Sequence, residues 1–94
     1  MTIYVDVQMN NGWKMYGRTV QNCHLFTDGP VDELHAFAVR IGMKRTWFQD
    51  KSVQHYDLTP SRRRLAVAAG AVEVDRRQAV AIWKQCRENK GQRF

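Results

Sequence analysis

The sequence predicts one small α/β domain, a sandwich in which a short three- to four-stranded sheet is packed by three helices. Three observations carry this. Ile3, Val5 and Val7 alternate with Tyr4 and Asp6 at the period of a strand. Three later segments pair a helix-start signal with apolar residues at helical spacing. In the second half helix and strand patterns alternate, as in a layered α/β fold. Residues 1–90 are expected to form that domain, with 91–94 frayed.

Taken in order, the first strand runs into Asn10-Asn11-Gly12, a turn signal because Asn and Gly tolerate positive φ. Residues 13–20 fit a strand or an irregular loop. CHLF at 23–26 reads as a strand ending at Thr27-Asp28. The first helix follows, with Asp28 or Gly29 as its cap and Pro30 in its first turn. Val31, Leu34, Phe37, Ala38 and Ile41 share one face, and Gly42 stops it. Residues 43–58 read as linking structure, with Trp47 and Phe48 folding back onto the core. A second helix starts at Thr59-Pro60, with Leu65, Ala68 and Ala69 as its apolar face, and ends at Gly70. AVEV at 71–74 is a short strand. Asp75 caps the third helix with Gln78 completing a capping box, and Ala79, Ile82, Trp83 and Cys86 form its buried stripe.

Composition narrows the function classes. No run of 18 apolar residues appears, so no membrane span is expected. The first residues lack the basic and apolar regions of a signal peptide, and two cysteines make no disulfide framework. A cytoplasmic location is the expectation. Residues 1–61 carry six basic and six acidic side chains, whereas 62–94 carry nine basic against three acidic. The whole formal excess of +6 therefore lies in the last third. Such an excess attracts phosphates or an acidic protein surface, or serves as a solvated face.

Candidate chemistry gathers at the ends of predicted elements: Asp6, His24, Asp28, His35, His55, Asp57 and Arg62. The stretch QHYDLTPSRRR (54–64) puts a His-Tyr-Asp cluster before a helix start and three arginines. Arg62 lies about 60° from the direction of Leu65 on a helical wheel, close to exposed helix N–H groups, so it suits an anion. Arg63 points away from Leu65 and reads as a solvated charge. Arg62 with His55 is the preferred phosphate-contacting pair. His55, His24 and Asp57 are the candidates for acid–base work on a phosphoester, and Asp6, His35 and Trp13 are further ligand contacts. Asp57 has a rival role, capping the second helix, and His35 a rival role as a structural donor. Zinc-finger spacing is absent. A divalent metal on histidines from distant segments remains open, with Asp28 or Asp57 as carboxylate and His24 and Asp28 as the named ligands. Cys23 next to His24 on a strand would face away from it, which argues against a Cys-His nucleophile.

The blocks IYVD (3–6), MNNGWK (9–14), NCHLFTD (22–28), DELHAFAVRIGMKRTWFQD (32–50), HYDLTPSRRR (55–64) and GAVEVDRRQ (70–78) together resemble the domain-of-unknown-function family 4031. These are small proteins of bacterial and phage genomes. The resemblance implies a free-standing single domain and supplies no catalytic residues. The expected function is binding of a phosphate-containing ligand, nucleotide or nucleic acid, through the His/Asp/Arg cluster, with hydrolysis as an open extension. The rival is a non-catalytic phage accessory protein that binds a host protein through Trp13, Met15 and Tyr16.

Overall fold

The computed structural model describes residues 2–9, 14–15, 17–51 and 53–91. A five-stranded sheet forms the centre, one strand more than the upper expectation. Its strands are β1 (Ile3–Val5), β4 (Cys23–Thr27), β5 (Gln49–Asp50), β6 (Gln54–Leu58) and β7 (Val72–Glu73), in the order β5-β6-β4-β1-β7. All neighbours are antiparallel except β7, which runs parallel to β1. A separate two-residue hairpin pairs β2 (Lys14–Met15) with β3 (Arg18–Thr19) across Gly17, whose φ is 77°. The Asn10-Gly12 turn, Trp13 and Tyr16 lie outside the described residues.

Because strand side chains alternate between faces, Val5, Cys23, Leu25, Tyr56 and Leu58 share one side of the sheet. Helix α1 (Val31–Arg40) and helix α2 (Pro60–Ala68) cover that side with Leu34, Phe37, Ala38 and Ala66. The opposite face carries Tyr4, Asp6, His24, Phe26, His55 and Asp57. Helix α3 (Arg76–Gly91) covers it through Ala79, Ile82 and Trp83, which pack with Phe26, Tyr4 and Val74. One face is therefore apolar throughout and the other is half apolar, half polar.

Local chemistry fixes the helix ends. At the end of α1 the Met43 N–H donates to the Ala38 carbonyl (2.9 Å) and the Gly42 N–H to that of Val39 (3.0 Å), with Gly42 at φ 81°. This double bond pattern satisfies carbonyls left over at a helix end and needs a left-handed residue. α2 closes in the same way on Gly70, at φ 110°, with Ala71 N–H donating to Ala66. Thr59 caps α2 by accepting from the Arg62 N–H (3.3 Å). The Asp75–Gln78 box is reciprocal: Gln78 N–H donates to Asp75 Oδ1 (2.8 Å) and Asp75 N–H to Gln78 Oε1 (2.9 Å).

Several expectations need correction. Residues 43–58 are more than a link, since they hold a 3₁₀ turn (Arg45–Trp47), β5 and β6. Trp47 is largely exposed, while Phe48 packs against the core. Pro30 occupies the cap position of α1 with no side-chain cap; Asp28 instead accepts from Thr2 N–H (3.0 Å) and the Tyr4 hydroxyl (3.1 Å), tying β1 to the end of β4. The buried residue of α2 is Ala66, and Leu65 is half exposed. That turn of the helix also places Arg63 inward, where Nε donates to the Asp6 carbonyl (3.0 Å) and Nη1 pairs with Glu73 (2.9 Å).

Candidate functional site

The register of three strands assembles a polar row on the α3 side. Asp6 follows β1 and donates its N–H to the His24 carbonyl (3.3 Å). His24 lies opposite Asp57 in the β4–β6 pairing, and His55 precedes Asp57 by two residues, so all point the same way. Gln49, on the edge strand, is paired with His55. Residues remote in sequence, numbers 6, 24, 49, 55 and 57, thus meet across four strands.

The hydrogen bonds orient both imidazoles. Asp6 is buried and accepts twice from His24, from the backbone N–H (2.6 Å) and from Nδ1 (2.8 Å). A carboxylate only accepts, so the proton sits on Nδ1 and Nε2 is turned inward to the cluster. His55 Nδ1 donates to the Val53 carbonyl (2.7 Å), which fixes the same tautomer and leaves its Nε2 toward Asp57. His24 Nε2 and His55 Nε2 lie 3.9 and 3.5 Å from the same oxygen, Asp57 Oδ1. Asp57 Oδ2 accepts from Gln49 Nε2 (2.5 Å). One donor atom from each of His24, His55 and Asp57 lies within 4.8 Å of the others.

The electrostatics follow. The hydrogen bond to Asp6 outweighs burial and raises the His24 pKa. The His55 imidazole, its Nε2 3.5 Å from Asp57 Oδ1, holds the Asp57 carboxyl below the usual carboxylate range against the effect of burial. Side-chain exposures of 27% for His24, 12% for His55 and 26% for Asp57 keep the cluster reachable from solvent. The cover provided by α3 ends here, where the Trp83 ring meets His24 edge-on at 5.6 Å between centroids; His55 meets His24 at 4.8 Å.

Asp57 and Gln49 also line a half-open cleft of about 1000 Å³. Along α2 the cleft is walled by Thr59, Ser61, Arg62 and Arg64, and Trp47 stands on its rim side with Lys44 Nζ 5.6 Å from its ring. Arg62 has a structural engagement there: its Nη1 donates to the Ile41 carbonyl (2.6 Å), next to Gly42, where a Cβ would run into the guanidinium. Arg64 is exposed.

The structure sorts the sequence candidates. It brings together His24, His55, Asp57 and Asp6. It sends His35 to the opposite face, where Nδ1 and the Tyr56 hydroxyl share a hydrogen bond of 2.7 Å and Phe48 packs edge-on. Asp28 is remote from the cluster in its bonding, and Asp57 caps no helix. Trp13 lies outside the described residues. Cys23 is fully buried and its thiol is pushed up to about 12 by burial, which leaves no nucleophile there. Gln49 is absent from the sequence candidates, and Trp47 is expected there only as a core residue; Gln49 becomes visible only once 49–58 is read as two paired strands.

A family model described as a protein of unknown function, DUF4031, matches residues 3–86. The chain belongs to the DUF4031 family. No curated protein and no solved structure matches it. The DUF4031 match spans every residue of the polar row and of the cleft. No helix among the described residues is long and apolar enough to cross a membrane.

Proposed function

We propose that this protein binds a phosphate-containing ligand, a nucleotide or a nucleic-acid segment, in the cleft beside α2, and that the His24/His55/Asp57 cluster acts on its phosphoester. The observation that carries the reading is the double membership of Asp57: it belongs both to the imidazole cluster and to the wall of the cleft. A ligand seated along Arg64, Thr59 and Ser61 would thus end at the reactive groups. The chemistry of the walls supports the class. Hydroxyls and a guanidinium suit phosphate oxygens, and the exposed ring of Trp47 offers a base a stacking surface.

The reaction that fits is hydrolysis. Water attacks phosphorus, the ester P–O bond breaks, one proton reaches the leaving oxygen and the other goes to solvent. Two imidazole Nε2 atoms and a carboxylate oxygen around one small volume can position that water and handle its proton. Arg62 steadies the corner between α1 and α2, and among the described residues Arg64 is the cleft-lining cation without a hydrogen bond or ion pair.

A thermal-shift panel tests this, because ligands that bind the folded state raise Tm by mass action. Inorganic phosphate, nucleoside mono- and triphosphates and short oligonucleotides are the probes. The expected result is a shift of several degrees with at least one probe, reduced in Arg64→Ala. No shift with any of them, or one untouched by Arg64→Ala, removes the reading.

A further inference from the structure

We infer that His24 Nε2, His55 Nε2 and Asp57 Oδ1 are a binding site for one divalent metal ion of the zinc type, with its open coordination positions toward the cleft. The inference adds a resident ion to the cluster used above, and it stands or falls on binding of the metal alone.

The donor geometry comes first. The two imidazole-to-carboxylate separations of 3.5 and 3.9 Å lie just above the value of about 3.4 Å between ligands of a tetrahedral ion with bonds of about 2.1 Å. All three donor atoms lie within 4.8 Å of one another, so side-chain rotation is needed to close them onto one centre. Two imidazoles and one carboxylate select a borderline transition metal over magnesium or calcium, which prefer oxygen, and three protein ligands leave room for water or a phosphoryl oxygen.

Orientation is the second argument. Histidines that ligate a metal through one nitrogen nearly always donate the other N–H to a carboxylate or a backbone carbonyl. Both imidazoles here do so, His24 to Asp6 and His55 to the Val53 carbonyl, and Gln49 holds the free oxygen of Asp57. Every candidate ligand therefore has its outer partner, and all three remaining donor atoms converge. A histidine buried only for packing needs no such matched pair.

Charge is the third. Asp6 and Asp57 bring two negative charges to the row. Among the described residues their ion-pair partners are imidazoles, while the nearby Arg63 is committed to Glu73 and to a backbone carbonyl. A divalent cation neutralises the two carboxylates with both histidines neutral. At the mouth of the cleft it would supply a Lewis acid for a phosphoryl oxygen and a more acidic water.

The test is a titration of metal-free protein with Co²⁺ and Zn²⁺, read by the visible d–d bands of Co²⁺ and by competition with a chelator. The expected result is one ion per chain, at least 100-fold weaker binding in His55→Gln and in Asp57→Asn, and roughly 10- to 100-fold weaker binding in Asp6→Asn, which alters only the outer partner. Circular dichroism and Tm of each variant show that it remains folded. His35→Gln, on the opposite face, is the control and should bind as the parent does. No saturable binding, or binding that survives both His55→Gln and Asp57→Asn, overturns the site. Loss of binding in the His35→Gln control alongside the others would also overturn it, by showing a general effect on the fold. Because no phosphate is present, failure of this test and failure of the phosphate reading are separate results.

Discussion

The two faces of the sheet are built from the same strands and do opposite things. On the α1/α2 side Val5, Cys23, Leu25, Tyr56 and Leu58 are wholly buried. On the α3 side the alternate positions of β4 and β6 hold His24, His55 and Asp57, each partly open to solvent. An apolar contact at those positions would stabilise the sheet more than polar side chains do, since burying a large aliphatic group contributes about 1.5–3 kcal/mol. The polar row instead needs Asp6, the Val53 carbonyl and Gln49 to satisfy it. A small domain that spends half of one sheet face on mutually oriented polar groups gives up core, which the proposed site would explain.

That contrast can be broken from either side. The largest expected effect is on the dry face: Leu58→Ala or Leu25→Ala should cost about 2–5 kcal/mol in chemical denaturation, through lost transfer energy and the cavity left behind. Asp57→Asn, one position from Leu58 in sequence, should change stability by no more than about 1 kcal/mol in metal-free protein, because the amide keeps the shape and most hydrogen bonds. If Asp57→Asn proved as costly as Leu58→Ala, the row would be scaffold.

Smaller effects sharpen the account of the frame. Gly42→Ala forces a side chain into the left-handed region and against Arg62, and should cost about 1–3 kcal/mol, read as a fall in Tm. Asp75→Ala removes half of the capping box of α3 and should cost about 1 kcal/mol, with loss of helical ellipticity. The smallest is a pH effect at His35. Burial, aided by the charge of Arg45, lowers its pKa, so the folded chain binds fewer protons than the unfolded one. Stability from this group is complete above the ordinary histidine pKa and falls as pH drops toward the lowered folded value. Relative to the parent, His35→Asn should lose part of the acid sensitivity of Tm; an unchanged profile would contradict the assignment.

Much of the frame was legible because local chemistry writes it. The Asp75–Gln78 box, the Thr59-Pro60 start, Gly42 and Gly70 as helix stops and the stripe of α3 all depend on residues within one or two turns. What failed was non-local. In α2, Leu65 looked like the core residue on size alone, but the sheet receives Ala66, and this one-residue rotation turned Arg63 from a solvated charge into a bonded one. In 43–58, Gln54–Leu58 alternates polar and apolar like a strand, yet its position between Trp47-Phe48 and a helix start made it read as a link. Missing β6 hid the reason His55 and Asp57 belong together. Residue types alone proposed His24, His55, Asp57 and Asp6; only the register of β1, β4 and β6 shows that they meet and that His35 and Asp28 do not join them.

The central claim is that the polar row is a site rather than a satisfied patch of sheet. An anomalous difference map from crystals of the protein grown with Zn²⁺, collected at the zinc edge, tests it most directly. The account predicts one strong peak about 2.0–2.2 Å from His24 Nε2, His55 Nε2 and Asp57 Oδ1. A map with no peak there, or with zinc bound only at other residues, would contradict it.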